Sequence, residues 1–315
     1  MSDPGCKAVY FLQKPFTADT EQMGCYYFHI LQAVEQCKRW GTAIVPPRFP
    51  LCPRDNTKVE FNSTDHWSSS ILAIGSVDSK EVLDYSHLQT LTLKQFYKQS
   101  HGKVRTNIAN LDISGFQFTS DNNSDYMILN MPPRWDLQGD DAHVFYNILY
   151  DFIPLKSDII DGKIPDWYKY LSKSHFLGVH WRRGDRGNSI LGQIGRRLWF
   201  STDPDKVAAC INKYIERNPE IQWVYVSTNS GSIIDRALLK QLVKLPVHFF
   251  DAPSNITPLE IWKWDLTDLI LCAKAKHLML SPGGLEHSSA FGRIMYAECL
   301  RQNPEDALVS FMPMI

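Results

Sequence analysis

Two adjacent arginines, Arg182 and Arg183, close an apolar run and are followed at once by Gly184 and Asp185. A guanidinium is a planar fork of donors that matches phosphate oxygens in pairs, and a glycine beside it lets the main chain approach the same anion. An arginine so placed can also take up charge that develops on a departing phosphate. The plainer reading is a surface loop in which Arg183 pairs with Asp185, and the residue types alone leave both readings open.

The elements around the pair decide where it stands. Phe176–Val179 is short, hydrophobic and stops abruptly at polar residues, as a buried strand does where it opens into a loop. In open α/β sheets, ligands sit just past the carboxyl ends of the strands. The same pattern recurs downstream. A strand over 222–226 runs into Ser227-Thr-Asn-Ser-Gly231, and a strand His277–Leu280 runs into Ser281 and then Glu286-His-Ser-Ser289. The last group opens a helix, so its hydroxyls and N–H groups suit a phosphate as well as a simple cap. Helices expected over 203–216, 232–242, 258–275 and 287–299, with a further strand Val247–Phe250, complete an alternation that implies parallel sheet covered by helices. Asp268 lies mid-helix among Leu266 and Leu269–Cys272, so partial burial is expected, and a carboxylate taken out of water needs donors.

The first half is less regular. Ala8–Leu12 reads as a strand, 25–40 as a helix with Ile30, Leu31, Val34 and Cys37 on one face, and Thr42–Val45 as a second strand stopped by Pro46-Pro47. From Arg48 to Leu137 the chain is polar and turn-rich, and helix is expected again over 140–152. The two halves imply two α/β lobes, 1–165 and 166–315.

Composition removes several classes. The 315 residues are 44% hydrophobic and 21% charged with a net charge of −1, so no nucleic-acid partner is expected and anion recognition must be local. No stretch approaches the roughly 20 apolar residues of a membrane span. The amino terminus shows neither a charged n-region nor an apolar h-region, so no secretory leader is expected in the chain as it stands. The seven cysteines are scattered with no C-x-x-C pair, which argues against zinc and thioredoxin-type chemistry, and no metal site is expected. Sequons at Asn62, Asn122 and Asn255 hint weakly at a secretory lumen. Dinucleotide, phosphate-loop and nucleophile-elbow glycine motifs are all missing.

His180-Trp-Arg-Arg-Gly-Asp185 resembles the His-x-Arg-Arg-x-Asp signature of the GDP-fucose protein O-fucosyltransferases, and the order of the other pieces agrees. Val224-Tyr-Val-Ser-Thr-Asn229 resembles that family's strand ending in Ala-Thr-Asp. Asp268-Leu-Ile-Leu-Cys272 resembles its Asp-x-x-x-Cys segment, and Ser288-Ser289 its serine-rich one. The resemblance implies a GT-B fold, α/β with two Rossmann-like lobes facing a cleft. It implies an inverting, metal-independent transfer of fucose from GDP-fucose to a hydroxyl of a protein Ser/Thr or a glycan, with no further cofactor. Carried over by residue, Arg182 and Arg183 bind the diphosphate and Arg182 assists its departure. His180 and Asp185 support that loop, Asp268 reads guanine, and Ser288 and Ser289 hold phosphate. Glu21, in Thr20-Glu-Gln-Met-Gly-Cys25, is either the general base for the acceptor hydroxyl or an exposed loop glutamate. The compartment implied is the ER or Golgi lumen if a leader was removed, and otherwise the cytoplasm.

Four departures stand out: Asn229 where the family has an acid, Phe291 one place late, extra residues around 283–286, and an altered N-terminal acceptor loop. They keep two other readings in play, a GT-B transferase for another nucleotide sugar and a GT-B-like binding protein without catalysis. A catalytic base near the acceptor separates enzyme from binding protein.

Overall fold

The computed structural model describes residues 7–12, 30, 33–34, 37–38, 41–46, 48–49, 77–100, 104–107, 126–130, 155–183, 201–253, 256–283 and 290–313. The chain divides into two compact units. One takes Met1–Asp136, Asp151–Ile159 and Ile256–Lys263, the other Leu137–Tyr150, Ile160–Asn255 and Trp264–Ile315. The chain returns to the first unit twice, over Asp151–Ile159 and over Ile256–Lys263. A helix shared between two units has no shift of composition to announce it.

The first unit is built on β1 (Ala8–Leu12), β2 (Ala43–Val45), β5 (Val104–Asn107) and β6 (Tyr126–Asn130), with a short antiparallel pair, β3 (Arg48–Phe49) and β4 (Val77–Asp78), beside them in the chain. Its main sheet has the order β2-β1-β6-β5 and every pairing is parallel. Ile30, Ala33, Val34 and Cys37 are helical and buried, an i, i+3, i+4, i+7 stripe at the spacing that one helix face requires. Helix α1 (Leu93–Ser100) opens with a capping box. Thr92 Oγ1 accepts from the Gln95 amide at 3.1 Å while Gln95 Oε1 accepts from the Thr92 amide at 2.8 Å.

The second unit holds α2 (Asp166–Leu171), β7 (Phe176–Trp181), α3 (Pro204–Arg217), β8 (Trp223–Thr228), α4 (Ile233–Leu242) and β9 (Val247–Phe249). It ends with α5 (Pro258–Ala273), whose first residues count with the other unit, β10 (His277–Leu280), α6 (Ala290–Gln302) and β11 (Leu308–Phe311). The five strands run parallel in the order β11-β10-β7-β8-β9, so their carboxyl ends share one edge. Strand alternation sorts the core. Leu177, Val179 and Trp181 of β7 with Val224 and Val226 of β8 pack on Val207, Ala208 and Ile211 of α3 and Leu239 of α4. Phe176, Gly178 and His180 take the opposite face, as do Trp223, Tyr225 and Ser227.

Gly178 is required by that opposite face. A Cβ there would lie 2.5 Å from the Cys272 carbonyl oxygen of α5, closer than atoms approach, so helix and strand meet at a distance only glycine permits. Burial pushes the Cys272 thiol well above its usual range, with the Asp268 charge adding to the shift. It stays protonated and acts as a small apolar filler.

Candidate functional site

The carboxyl edge of the second sheet gathers the loops that sequence reasoning singled out. The β7–β8 ladder ends at the pair Trp181 and Thr228, but hydrogen bonding does not. Thr228 Oγ1 donates to the Trp181 carbonyl at 2.6 Å, and the Arg183 amide donates to Asn229 Oδ1 at 2.9 Å. On the other side, Ser281 Oγ donates to the His180 carbonyl at 2.7 Å and accepts the Arg182 amide at 2.8 Å. Side chains from the flanking strand ends thus extend the sheet by two residues and hold the Arg182-Arg183 backbone in place before any ligand arrives. Asn229, the departure from the family's acid, accepts this amide as a carboxylate would.

The side chains of the two arginines have different surroundings. Arg183 is mostly buried. Its Nη1 donates to Asp203 Oδ1 at 2.6 Å and its Nε to Asp235 Oδ2 at 3.1 Å. The fork of Arg183 thus engages two carboxylates of its own chain. Asp203 is also the N-cap residue of α3. It makes no capping hydrogen bond because its carboxylate is drawn to Arg183 and to Lys206, whose Nζ lies 3.6 Å away. Below them, the Trp181 indole N–H donates to the Thr202 carbonyl at 2.9 Å. Arg182 is half-buried at the edge itself.

Asp268 sits on α5 over β8. Tyr225 Oη donates to its Oδ1 at 2.7 Å and Ser227 Oγ to its Oδ2 at 2.5 Å. The two donors are two residues apart on one strand, so both point to the same helix. Donors for this half-buried carboxylate therefore come from the protein, because β8 runs two residues further than the sequence suggested and keeps Ser227 within the pleat. Burial, reinforced by the Asp268 charge, pushes the Tyr225 hydroxyl well above its usual range, so it remains a donor at any physiological pH.

His180 is buried on the α5–α6 face of β7, its ring 5.9 Å from that of Phe291 at the start of α6. The aromatic one place late is thus the one that packs beneath the loop. Beyond Ser281, Gly283 takes a φ of 111°, a conformation that glycine adopts without strain. Glu21, Gly184, Asp185, Ser288, Ser289, the sequons and the helix expected over 140–152 lie outside the described residues. Two residues of the edge carried no sequence signal: Asp235 and Arg236, in the first turn of α4. Arg236 Nε donates to the Ser230 carbonyl at 2.9 Å, and its Nη1 bonds to Asp251 after β9. Among the described residues no helix is long and apolar enough to cross a membrane.

A crystal structure of POFUT1 in complex with GDP superposes with a TM-score of 0.58, covering 99% of this chain and 99% of that one at 12% identity. The fold is GT-B. A structure of NodZ alpha-1,6-fucosyltransferase soaked with GDP-fucose covers 93% of this chain and 92% of its own at 14% identity, with a TM-score of 0.47. No family model and no curated protein matches the sequence. The GT-B likeness accounts for two parallel α/β sheets in one chain, the second with its polar loops on one edge.

Proposed function

We propose that this protein is a fucosyltransferase that takes GDP-fucose as donor and a protein or glycan hydroxyl as acceptor. The observation that carries the reading is the Arg182-Arg183 loop. It has the His-x-Arg-Arg-x-Asp pattern, lies at the carboxyl edge of the second sheet, and is fixed by Ser281, Thr228 and Asn229 without help from a ligand. The POFUT1 structure, whose fold the chain has, holds GDP.

In this reading Arg182 faces the diphosphate. An acceptor oxygen attacks the anomeric carbon of fucose as the carbon–oxygen bond to the β-phosphate breaks. The bonding pair leaves with GDP, the hydroxyl proton passes to a base, and the configuration inverts. Arg182 stabilises the charge gathering on the β-phosphate, a contribution that suffices without a metal ion. Glu21 is the proposed base. Asp268 reads guanine beside the Tyr225 and Ser227 hydroxyls that orient its carboxylate, while Ser288 and Ser289 hold phosphate. A second reading has one observation in its favour: both oxygens of Asp268 already accept protein donors, which suits a strut between α5 and β8.

The test is GDP release from GDP-fucose in EDTA, with and without acceptor peptides and glycans, for the wild-type protein and Arg182→Ala. Acceptor-stimulated release that falls at least a hundredfold in the variant is expected, the scale of losing one oxyanion donor. Equal release by both proteins overturns the role of Arg182. Acceptor-stimulated release from another nucleotide sugar instead overturns the donor.

A further inference from the structure

We propose that the first turn of α4 is a positioning device, in which the neighbours Asp235 and Arg236 tie together the loops that follow β7, β8 and β9. Asp235 accepts Arg183 Nε of the β7 loop at 3.1 Å. Arg236 donates Nε to the Ser230 carbonyl of the β8 loop at 2.9 Å and bonds through Nη1 to Asp251 of the β9 loop. Its guanidinium carbon also stands 5.2 Å from the centroid of the Phe249 ring, at the end of β9.

The turn itself is fixed by polar contacts. Ser232 Oγ accepts the Asp235 amide at 3.1 Å, and Ser230 Oγ accepts the Ser232 amide at 3.3 Å. Apolar burial does not hold it, since Ile233 and Ile234 are 82% and 79% exposed. A helix start with its apolar side chains in solvent and two charged residues on neighbouring loops is placed by those charges. Being adjacent in the chain, the two residues make the loops move as one. Arg183 completes the arrangement: Asp235 and Asp203 hold its side chain, Asn229 holds its amide, and Arg182 is the next residue. Asp235 and Arg236 act on Arg182 only through these contacts and are positioning residues. Their consequence for ligand binding rests on the proposed donor reading, whereas the tying of the loops does not.

The experiment has two arms on the full chain. In the ligand-free protein, amide hydrogen exchange is compared among wild type, Asp235→Asn, Asp235→Glu and Arg236→Gln. The Arg182 and Arg183 amides should exchange about tenfold faster in Asp235→Asn, the size of one weakened charged hydrogen bond, and recover in Asp235→Glu. Exchange at Val179, inside β7, should not change. Unchanged exchange at both arginines overturns the proposal, and faster exchange throughout the second sheet reduces it to general stability. The second arm titrates the same proteins with GDP and with guanosine. Loss of about tenfold in GDP affinity with guanosine unaffected supports positioning of Arg182, because guanosine has no phosphate for it to meet. Equal loss for both ligands, or none, refutes that link. A wild type that binds neither overturns the donor reading of the site, and the exchange arm then decides the positioning claim alone.

Discussion

Replacing Gly178 with alanine should damage the second unit, where the added methyl group meets helix backbone. The new Cβ would stand 2.5 Å from the Cys272 carbonyl oxygen, 3.0 Å from Ala275 Cβ and 3.2 Å from Cys272 Sγ. Carbon and carbonyl oxygen ordinarily meet at about 3.3–3.6 Å, so β7 and α5 must separate by about 1 Å. The obstacle is helix backbone, which cannot rotate out of the way as a side chain end does. Overpacking of this kind costs about 1–3 kcal/mol, and a backbone obstacle places it near the upper end, about 3 kcal/mol. At about 2–4 °C per kcal/mol for a chain region of this size, Tm should fall by about 6–12 °C. The assay is thermal unfolding followed by circular dichroism and tryptophan fluorescence, with Gly231→Ala as control. A Cβ at Gly231 meets nothing within 4 Å, and that variant should stay within about 0.5 kcal/mol of wild type. A Gly178→Ala protein with wild-type Tm would refute the close approach of α5 to β7, and with it the placement of Asp268.

Three further outcomes follow from the same geometry. Tyr225→Phe removes a donor to Asp268 and should cost about 1–3 kcal/mol in urea unfolding, with no loss meaning that the contact is idle. Asp268→Ala should weaken GDP binding more than UDP binding in calorimetry, whereas equal losses assign Asp268 to the strut role. His277 is buried, with Nε2 3.0 Å from Glu220 and Nδ1 3.1 Å from the Tyr214 hydroxyl. Burial lowers its pKa despite the opposing Glu220 charge. The unfolded chain then binds the proton first, so stability is full above about pH 6.5 and declines as pH falls toward the folded value. His277→Gln should flatten this decline, and an equally steep fall in the variant would refute it.

The second unit was legible because its strands are short apolar runs cut off by polar loops, and its helices start and stop on Pro, Asp, Ser and Gly signals. β7, β8, β10 and the helices between them lie within a few residues of their expected places. The first unit concealed more. β5 is Val104-Arg-Thr-Asn107, too polar and short to be distinguished from loop, and the Thr92–Gln95 capping box was overlooked inside a turn-rich stretch. β11 is a half-exposed edge strand without an apolar run. At the site, the position of the arginine pair could be read from one strand's end, but the partners of Arg183 could not. Asp203 and Asp235 lie 20 and 52 residues away, and only the fold brings them together. Asp268 shows the opposite case. Its partial burial and need for donors were readable, but not that Tyr225 and Ser227 supply them, because the strand runs two residues past its apolar run.

The central claim is a guanine-nucleotide site at the carboxyl edge of the second sheet. Isothermal titration of the purified protein with GDP, UDP and ADP in EDTA tests it most directly. The account predicts micromolar binding of GDP with UDP and ADP silent. Silence toward all three, or equal binding of all three, would contradict it and leave the Arg182-Arg183 loop as scaffold.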